Sequence, residues 1–131
     1  MDFLNAGTLI KSGSSANFGG TNGTFNLTNT GTLDVASGTL RLYGTTATLG
    51  ASGTLRLVTN GSTKPIVRNG ALTIGGTLEV VLADGYAPAN GTVVRLIDYT
   101  SKTGAFSTVT PPQGRTISEA YQSDGLDVTI N

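Results

Sequence analysis

Apolar and polar residues alternate along this chain in short bursts separated by glycine. Residues 31 to 35 read GTLDV, 38 to 42 GTLRL, 53 to 57 GTLRL again, 70 to 74 GALTI and 76 to 80 GTLEV. Successive side chains of an extended strand point to opposite faces, so Leu33 and Val35 share one face while Thr32 and Asp34 share the other. Such bursts are too short for a stable helix, and β-branched residues with glycine punctuation favour strands.

The spacing of the bursts predicts the fold. Glycines open equivalent phrases at Gly7, Gly31, Gly53 and Gly76, in steps of 24, 22 and 23 residues. A second series, Phe25, Leu49 and Leu72, steps by 24 and 23; a looser third steps by 22 from Phe18 to Leu40 and by 26 from Leu40 to Ile66. Three registers that each return after about two dozen residues describe circuits of a three-sided coil, and repeats of this period mark solenoids. The expected fold is all-β: a parallel β-helix of about three to four coils, each about 22 to 24 residues long, closed by a C-terminal β cap.

In this register Leu9, Leu33, Leu55 and Leu78 form an inward column, each leucine contributing roughly 1.5–3 kcal/mol through burial. The outward column beside it is Ile10, Asp34, Arg56 and Glu79. Its last three members alternate in sign at the interstrand distance of about 4.8 Å, where like charges would repel. Asp34, Arg56 and Glu79 therefore read as a structural ion ladder, each exposed pair worth no more than about 1 kcal/mol.

Residues 1–80 read as coils, and near residue 81 the composition changes. Tyr86, Tyr99, Phe106 and Tyr121, with Pro88, Pro111 and Pro112, all lie beyond it. Large side chains closing a glycine-rich coil act as a plug and prolines protect an edge, so 81–131 reads as a capping segment continuous with the solenoid. If this cap initiates folding, deleting it leaves the coils unfolded or aggregated. At the other end the pattern begins almost at once with Gly7-Thr8-Leu9-Ile10, and an open strand edge there implies self-association through solenoid ends.

Composition narrows the chemistry. The chain has 131 residues, one domain's worth, with net charge zero and 12% charged residues. That leaves no electrostatic footprint for nucleic acid or an anionic membrane. Cysteine and histidine are both absent, which removes disulfides, thiolate and imidazole catalysis and the usual zinc ligand sets. No cofactor or metal is expected. No apolar run is long enough to span a bilayer, and Met1-Asp2-Phe3-Leu4 lacks the features of a signal peptide, so the expectation is a fragment or a mature form without its export signal.

Asn-Gly at 22, 60, 69 and 90 and Asp-Gly at 84 and 124 mark turns, because these residues tolerate positive φ. Gly19-Gly20-Thr21-Asn22-Gly23 resembles a calcium-binding nonapeptide, but Thr24 follows where an aspartate is required, which rejects calcium. Sequons at Asn22, Asn26, Asn60 and Asn90 follow from a composition rich in Asn, Gly and Thr.

Parallel β-helices host polysaccharide lyases and glycosidases, so the carboxylates matter. Asp34 and Glu79 lie about 9.6 Å apart if the strand spacing holds, near the upper end of the inverting-glycosidase separation. Arg56 stands between them and takes the space that sugar and water need, which ranks the ion ladder above a catalytic pair. Thr8, Thr32, Thr54 and Thr77 form an outward column that could face ice, but the neighbouring column is charged and spoils that plane. A carbohydrate-binding β-sandwich would show antiparallel hairpins with exposed aromatic platforms, whereas Phe18 and Phe25 fall on the apolar phase.

The repeated G-T-L-x-V phrases, then Gly-Tyr-x-Pro at 85 to 88, G-T-V-V-R-L-I at 91 to 97 and T-G-A-F at 103 to 106, resemble the β-solenoid repeats and closing segment of bacterial secreted surface proteins. Autotransporter passengers and related large adhesins are the nearest comparison, and the likeness covers most of the chain. It implies a right-handed parallel β-helix, placement outside the cell or on its surface, and a non-enzymatic role in stalks, adhesion or surface layers. End-to-end stacking into a filament, and a β-helix that binds or processes a surface polysaccharide, are the alternatives. No translocator barrel is present, and no family active-site residue carries over.

Overall fold

The structure is a computed structural model, and it describes residues 2–19 and 24–131. The glycine-rich motif at 20–23, with the Asn22 sequon, lies outside the described residues. The first turn consists of β1 (Asp2–Asn5), β2 (Thr8–Lys11) and β3 (Ala16–Phe18); the second of β4 (Asn26–Asn29), β5 (Thr32–Val35) and β6 (Leu40–Leu42). The third is β7 (Thr46–Leu49), β8 (Thr54–Thr59) and β9 (Ile66–Arg68). A fourth circuit follows with β10 (Ala71–Ile74), β11 (Thr77–Leu82) and β12 (Thr92–Asp98). The chain closes with β13 (Ser101–Gly104), β14 (Thr108–Thr110), β15 (Ile117–Tyr121) and β16 (Gly125–Ile130).

Each circuit lays one strand on each of three sheets. Sheet A has the order β1-β4-β7-β10-β13 and sheet B β14-β11-β8-β5-β2; their pairings are parallel throughout. Sheet C runs β15-β16-β12-β9-β6-β3 and turns antiparallel at its last two pairings. The protein is thus an all-β parallel solenoid whose final mixed sheet acts as a cap. The parallel ladders continue through β13 and β14, which pair with β10 and β11. The longer step from Ala71 to Ser101 takes in the loop between β11 and β12.

Alternation decides what is buried. On sheet B the register stacks Leu9 on Leu33, Leu33 on Leu55 and Leu55 on Leu78. Leu33, Leu55 and Leu78 are buried while Leu9, in the first turn, is partly covered. The column beside it, Val35, Leu57 and Val80, is sealed from solvent. Phe18 packs between Phe3 and Phe25, with ring centroids at 4.8 and 5.3 Å, and these rings fill the first turns.

Two of the expected registers need correction. Leu49 pairs with Asn29, not Phe25, and Thr48 pairs with Thr73, which sets Leu49 opposite Ile74 rather than Leu72. The cause is corner length: seven residues separate β3 from β4 but three separate β6 from β7. On sheet C, Phe18 pairs with Leu42, and Leu40 pairs with Ala16 below and Ile66 above. That slip is two residues, so it leaves the inward face unchanged.

Positive φ among the described residues belongs to glycine alone, so in the Asn-Gly pairs at 60, 69 and 90 the glycine makes the turn. Gly76 is one place where the need is plain. Its φ is +77°, and a Cβ there would run into the carbonyl oxygens of Gly50 and Gly53 in the turn below.

The cap is built by the last two strands. β16 inserts antiparallel between β12 and β15, and its Leu126, Val128 and Ile130 are fully buried. A register shift between Arg95 and Ile97 makes Leu96 an extra residue on β12, and Leu96 and Ile97 are both sealed. Tyr99 and Phe106 are buried here too. The Tyr99 hydroxyl donates at 2.7 Å to the Gln122 carbonyl, and the backbone N–H of Phe106 donates at 3.0 Å to the Tyr121 oxygen. Pro111 and Pro112 directly follow β14 and stop its ladder, since proline has no N–H to offer.

Candidate functional site

The residues with chemical potential fall into three groups. The first is the outward ladder of sheet B, where β5, β8 and β11 bring Asp34, Arg56 and Glu79 into register. Arg56 donates from Nη1 to both Asp34 carboxylate oxygens, at 3.0 and 3.2 Å, and its Nε lies 3.6 Å from Glu79 Oε1. The guanidinium thus fills the space between the two carboxylates. All three side chains are partly exposed, so these pairs contribute little to stability.

The second group covers the outside of sheet C at the cap. Arg95 on β12 reaches Asp127 on β16 at 2.5 Å, Asp98 at 2.8 Å and Asp124 at 3.1 Å, and Lys64 meets Asp98 at 2.8 Å. The hydrogen bond to Asp127 is the main reason the guanidinium is held well above its ordinary value; burial opposes it and Asp98 adds to it. Burial pushes the Asp98 carboxyl up, but the hydrogen bonds from Lys64 and Arg95 outweigh it and leave that group below the usual carboxylate range. A polar cleft of about 280 Å³ opens here, lined by Lys64, Asn69, Arg95, Asp98, Tyr99 and Asp124 among others. A larger groove of about 460 Å³ runs between residues 79–82 of β11 and Pro111–Gln113.

The third group is buried and polar, and the burst pattern did not reveal it. At the corner between sheets A and B, Asn5 Nδ2 donates at 2.8 Å to Asn29 Oδ1 and at 2.8 Å to the Thr32 carbonyl. Asn29 Nδ2 in turn donates to the carbonyls of Gly31 and Thr54 at 3.2 and 3.3 Å. These two amides satisfy the backbone groups that a tight corner orphans. Lys11 sits inside another corner, where its ammonium donates to the carbonyls of Ser12, Gly13, Ser14 and Ser37. Arg68 is 2% exposed and donates to four carbonyls, those of Leu42, Gly44, Thr45 and Ala71. Burial pushes its guanidinium below the ordinary value. Signals for these residues existed: Asn-x-Gly-Thr-Leu recurs at 5–9 and 29–33, and Lys11 and Arg68 stand two positions after the apolar residues Leu9 and Ile66.

In both acidic networks the carboxylates share cations, one guanidinium for two carboxylates on sheet B and a guanidinium and an ammonium for three on sheet C. Such an arrangement holds the carboxylates against cationic neighbours in fixed geometry. Among the described residues no group of three or more Asp or Glu is placed to hold a metal ion. Burial pushes the Tyr121 hydroxyl up to about 12; the Phe106 N–H works against this and Glu119, 2.8 Å away, adds to it. Among the described residues no helix is long and apolar enough to cross a membrane. Comparison with protein-family models, with curated proteins and with solved structures finds no match to this chain.

Proposed function

We propose that this chain is a non-catalytic structural module of a bacterial extracellular or cell-surface protein, serving as the spacer, stalk end or adhesin scaffold that its phrases resemble. The observation that carries this reading is the guanidinium of Arg56 between Asp34 and Glu79. The space between the carboxylate pair most suited by spacing to polysaccharide chemistry is filled by a guanidinium, where an inverting pair needs room for sugar and water.

The test is a turnover screen. The purified chain is incubated with a panel of neutral and acidic polysaccharides, and new reducing ends and unsaturated products are measured. No turnover is expected from the protein or from D34N and E79Q. Turnover that either substitution abolishes overturns the reading. Assembly into a filament is a second reading, favoured because β13 and β14 are outermost in sheets A and B and offer parallel edges to another copy. Size exclusion at several concentrations with negative-stain imaging decides it, and short monodisperse particles throughout count against it.

A further inference from the structure

The outer face of sheet A carries no charge ladder. Its register stacks Leu4, Thr28, Thr48, Thr73 and Thr103 in one outward column. Asp2, Asn26 and Thr46 stack in the column beside it, and Ala71 lies under Ser101 in the same line. The alternate residues Leu27, Ala47, Leu49, Leu72 and Ile74 are buried, and Lys102, on the same phase of β13, turns its ammonium over the Tyr121 ring at 4.6 Å, so these two columns are the solvent side. Asp2 is the single charge among the ten positions. Charge is concentrated elsewhere, on Asp34, Arg56 and Glu79 of sheet B and on Arg95, Asp98 and Asp127 of sheet C.

We propose that this face binds ice. The partner is chosen by charge and by mesh. A charged side chain holds its own hydration shell and disturbs an ordered water layer, as the sheet B ladder does; sheet A presents hydroxyls, methyls and small amides to a lattice that is itself neutral. The mesh is regular because five strands pair without a register shift, with rows about 4.8 Å apart and outward side chains about 6.7 Å apart along each strand. Those edges lie close to the oxygen repeats on the surfaces of hexagonal ice. The side chains are also set in place beforehand. Threonine is stiff about χ1, Asn26 Nδ2 donates at 2.8 Å to Asp2 Oδ1, and the Thr46 hydroxyl donates at 2.9 Å to Asn26 Oδ1. Little side-chain freedom is lost on contact, which favours adsorption to a rigid surface. The ten outward positions carry no aromatic side chain, so the face lacks the platform on which a sugar ring stacks. Its area of roughly 300 Å², five strands by four residues, fits weak activity that shapes crystals more than it depresses their growth.

The experiment is nanolitre osmometry with the purified chain at millimolar concentration, alongside T48K and T73K on sheet A and N17K on the exposed side of sheet C. Circular-dichroism melts verify folding, and T103K, at the exposed margin of the same face, replaces either variant that fails to fold. The wild type and N17K are expected to facet ice and separate melting from growth, while the sheet A variants lose both effects. Round unshaped crystals with the wild type overturn the proposal. So do equal effects in the sheet A variants, or adsorption to an insoluble polysaccharide without any on ice.

Discussion

Asn29 gives the sharpest test of how the corners are held. It is 1% exposed, and in the next turn Leu49 occupies its place in the column, so leucine fits there by size. What Asn29→Leu removes is the hydrogen bonding: the Thr54 carbonyl loses the amide, the Gly31 carbonyl keeps only the Thr54 N–H, and Asn5 loses one of two acceptors. Each buried group left unpaired costs about 1–3 kcal/mol, and the added apolar burial offsets part of that, for a net loss of about 1–3 kcal/mol. Asn29→Asp separates hydrogen bonding from volume, because it keeps the size and replaces the donor by a carboxylate oxygen aimed at two carbonyls. Its ionised form is disfavoured in the folded state, so the folded pKa rises above the unfolded value of about 3.9. The variant's stability relative to wild type is therefore fullest below that unfolded value and is lost as pH rises through the folded one. Urea melts from pH 3 to pH 7, about the range over which a raised carboxyl titrates, are the assay. Asn29→Leu is expected to show a deficit that does not change with pH, and Asn29→Asp one that grows towards neutrality. Wild-type stability in Asn29→Leu, or a pH-independent deficit in Asn29→Asp, refutes the role given to the amide.

The remaining predictions test the column, the ladder and the cap. Leu78→Ala, at a position with no exposure, is expected to cost about 2–5 kcal/mol in a urea melt, and Leu9→Ala clearly less because the first turn leaves Leu9 partly open; equal losses contradict the burial order. Arg56→Met is expected to cost no more than about 1 kcal/mol, with the difference shrinking as salt is added. Because the folded Tyr121 hydroxyl titrates about 12 against 10.0 for the free group, its contribution is complete below 10.0 and disappears as pH rises through about 12. Tyrosinate absorbance during an alkaline titration should show a late component that shrinks in Tyr121→Phe, the remainder belonging to Tyr99, which burial also pushes up; an unchanged late component contradicts the assignment. Removing residues 122–131 takes away β16 and uncovers Val94, Leu96 and Ile97, so aggregation is expected; a soluble truncation that melts cooperatively contradicts the capping role.

The solenoid was legible because its cause is local. A five-residue phrase has to bury its alternate residues, and the recurrence of Gly7, Gly31, Gly53 and Gly76 at near-constant steps permits one stacking, which fixed the sheet B columns and the Asp34–Arg56–Glu79 order. The sheet A register was misread where corners change length, since counting residues between apolar positions cannot tell a strand residue from a corner residue. The buried Asn5–Asn29 pair and the enclosed Lys11 and Arg68 were passed over because a polar residue is inward only by virtue of the carbonyls that surround it, and those come from other turns.

By itself, then, the sequence determined that the chain coils, which residues line the coil on sheet B, and that chemistry dependent on thiols or imidazoles is absent. Tertiary structure alone decided that β16 runs back between β12 and β15, that Arg95 gathers three aspartates, and that the outer side of sheet A is an almost uncharged threonine surface. The division has one physical reason. Alternation along a strand is written in neighbouring residues, whereas which strand lies beside which, and what a corner's carbonyls find to bind, depends on segments twenty or more residues away.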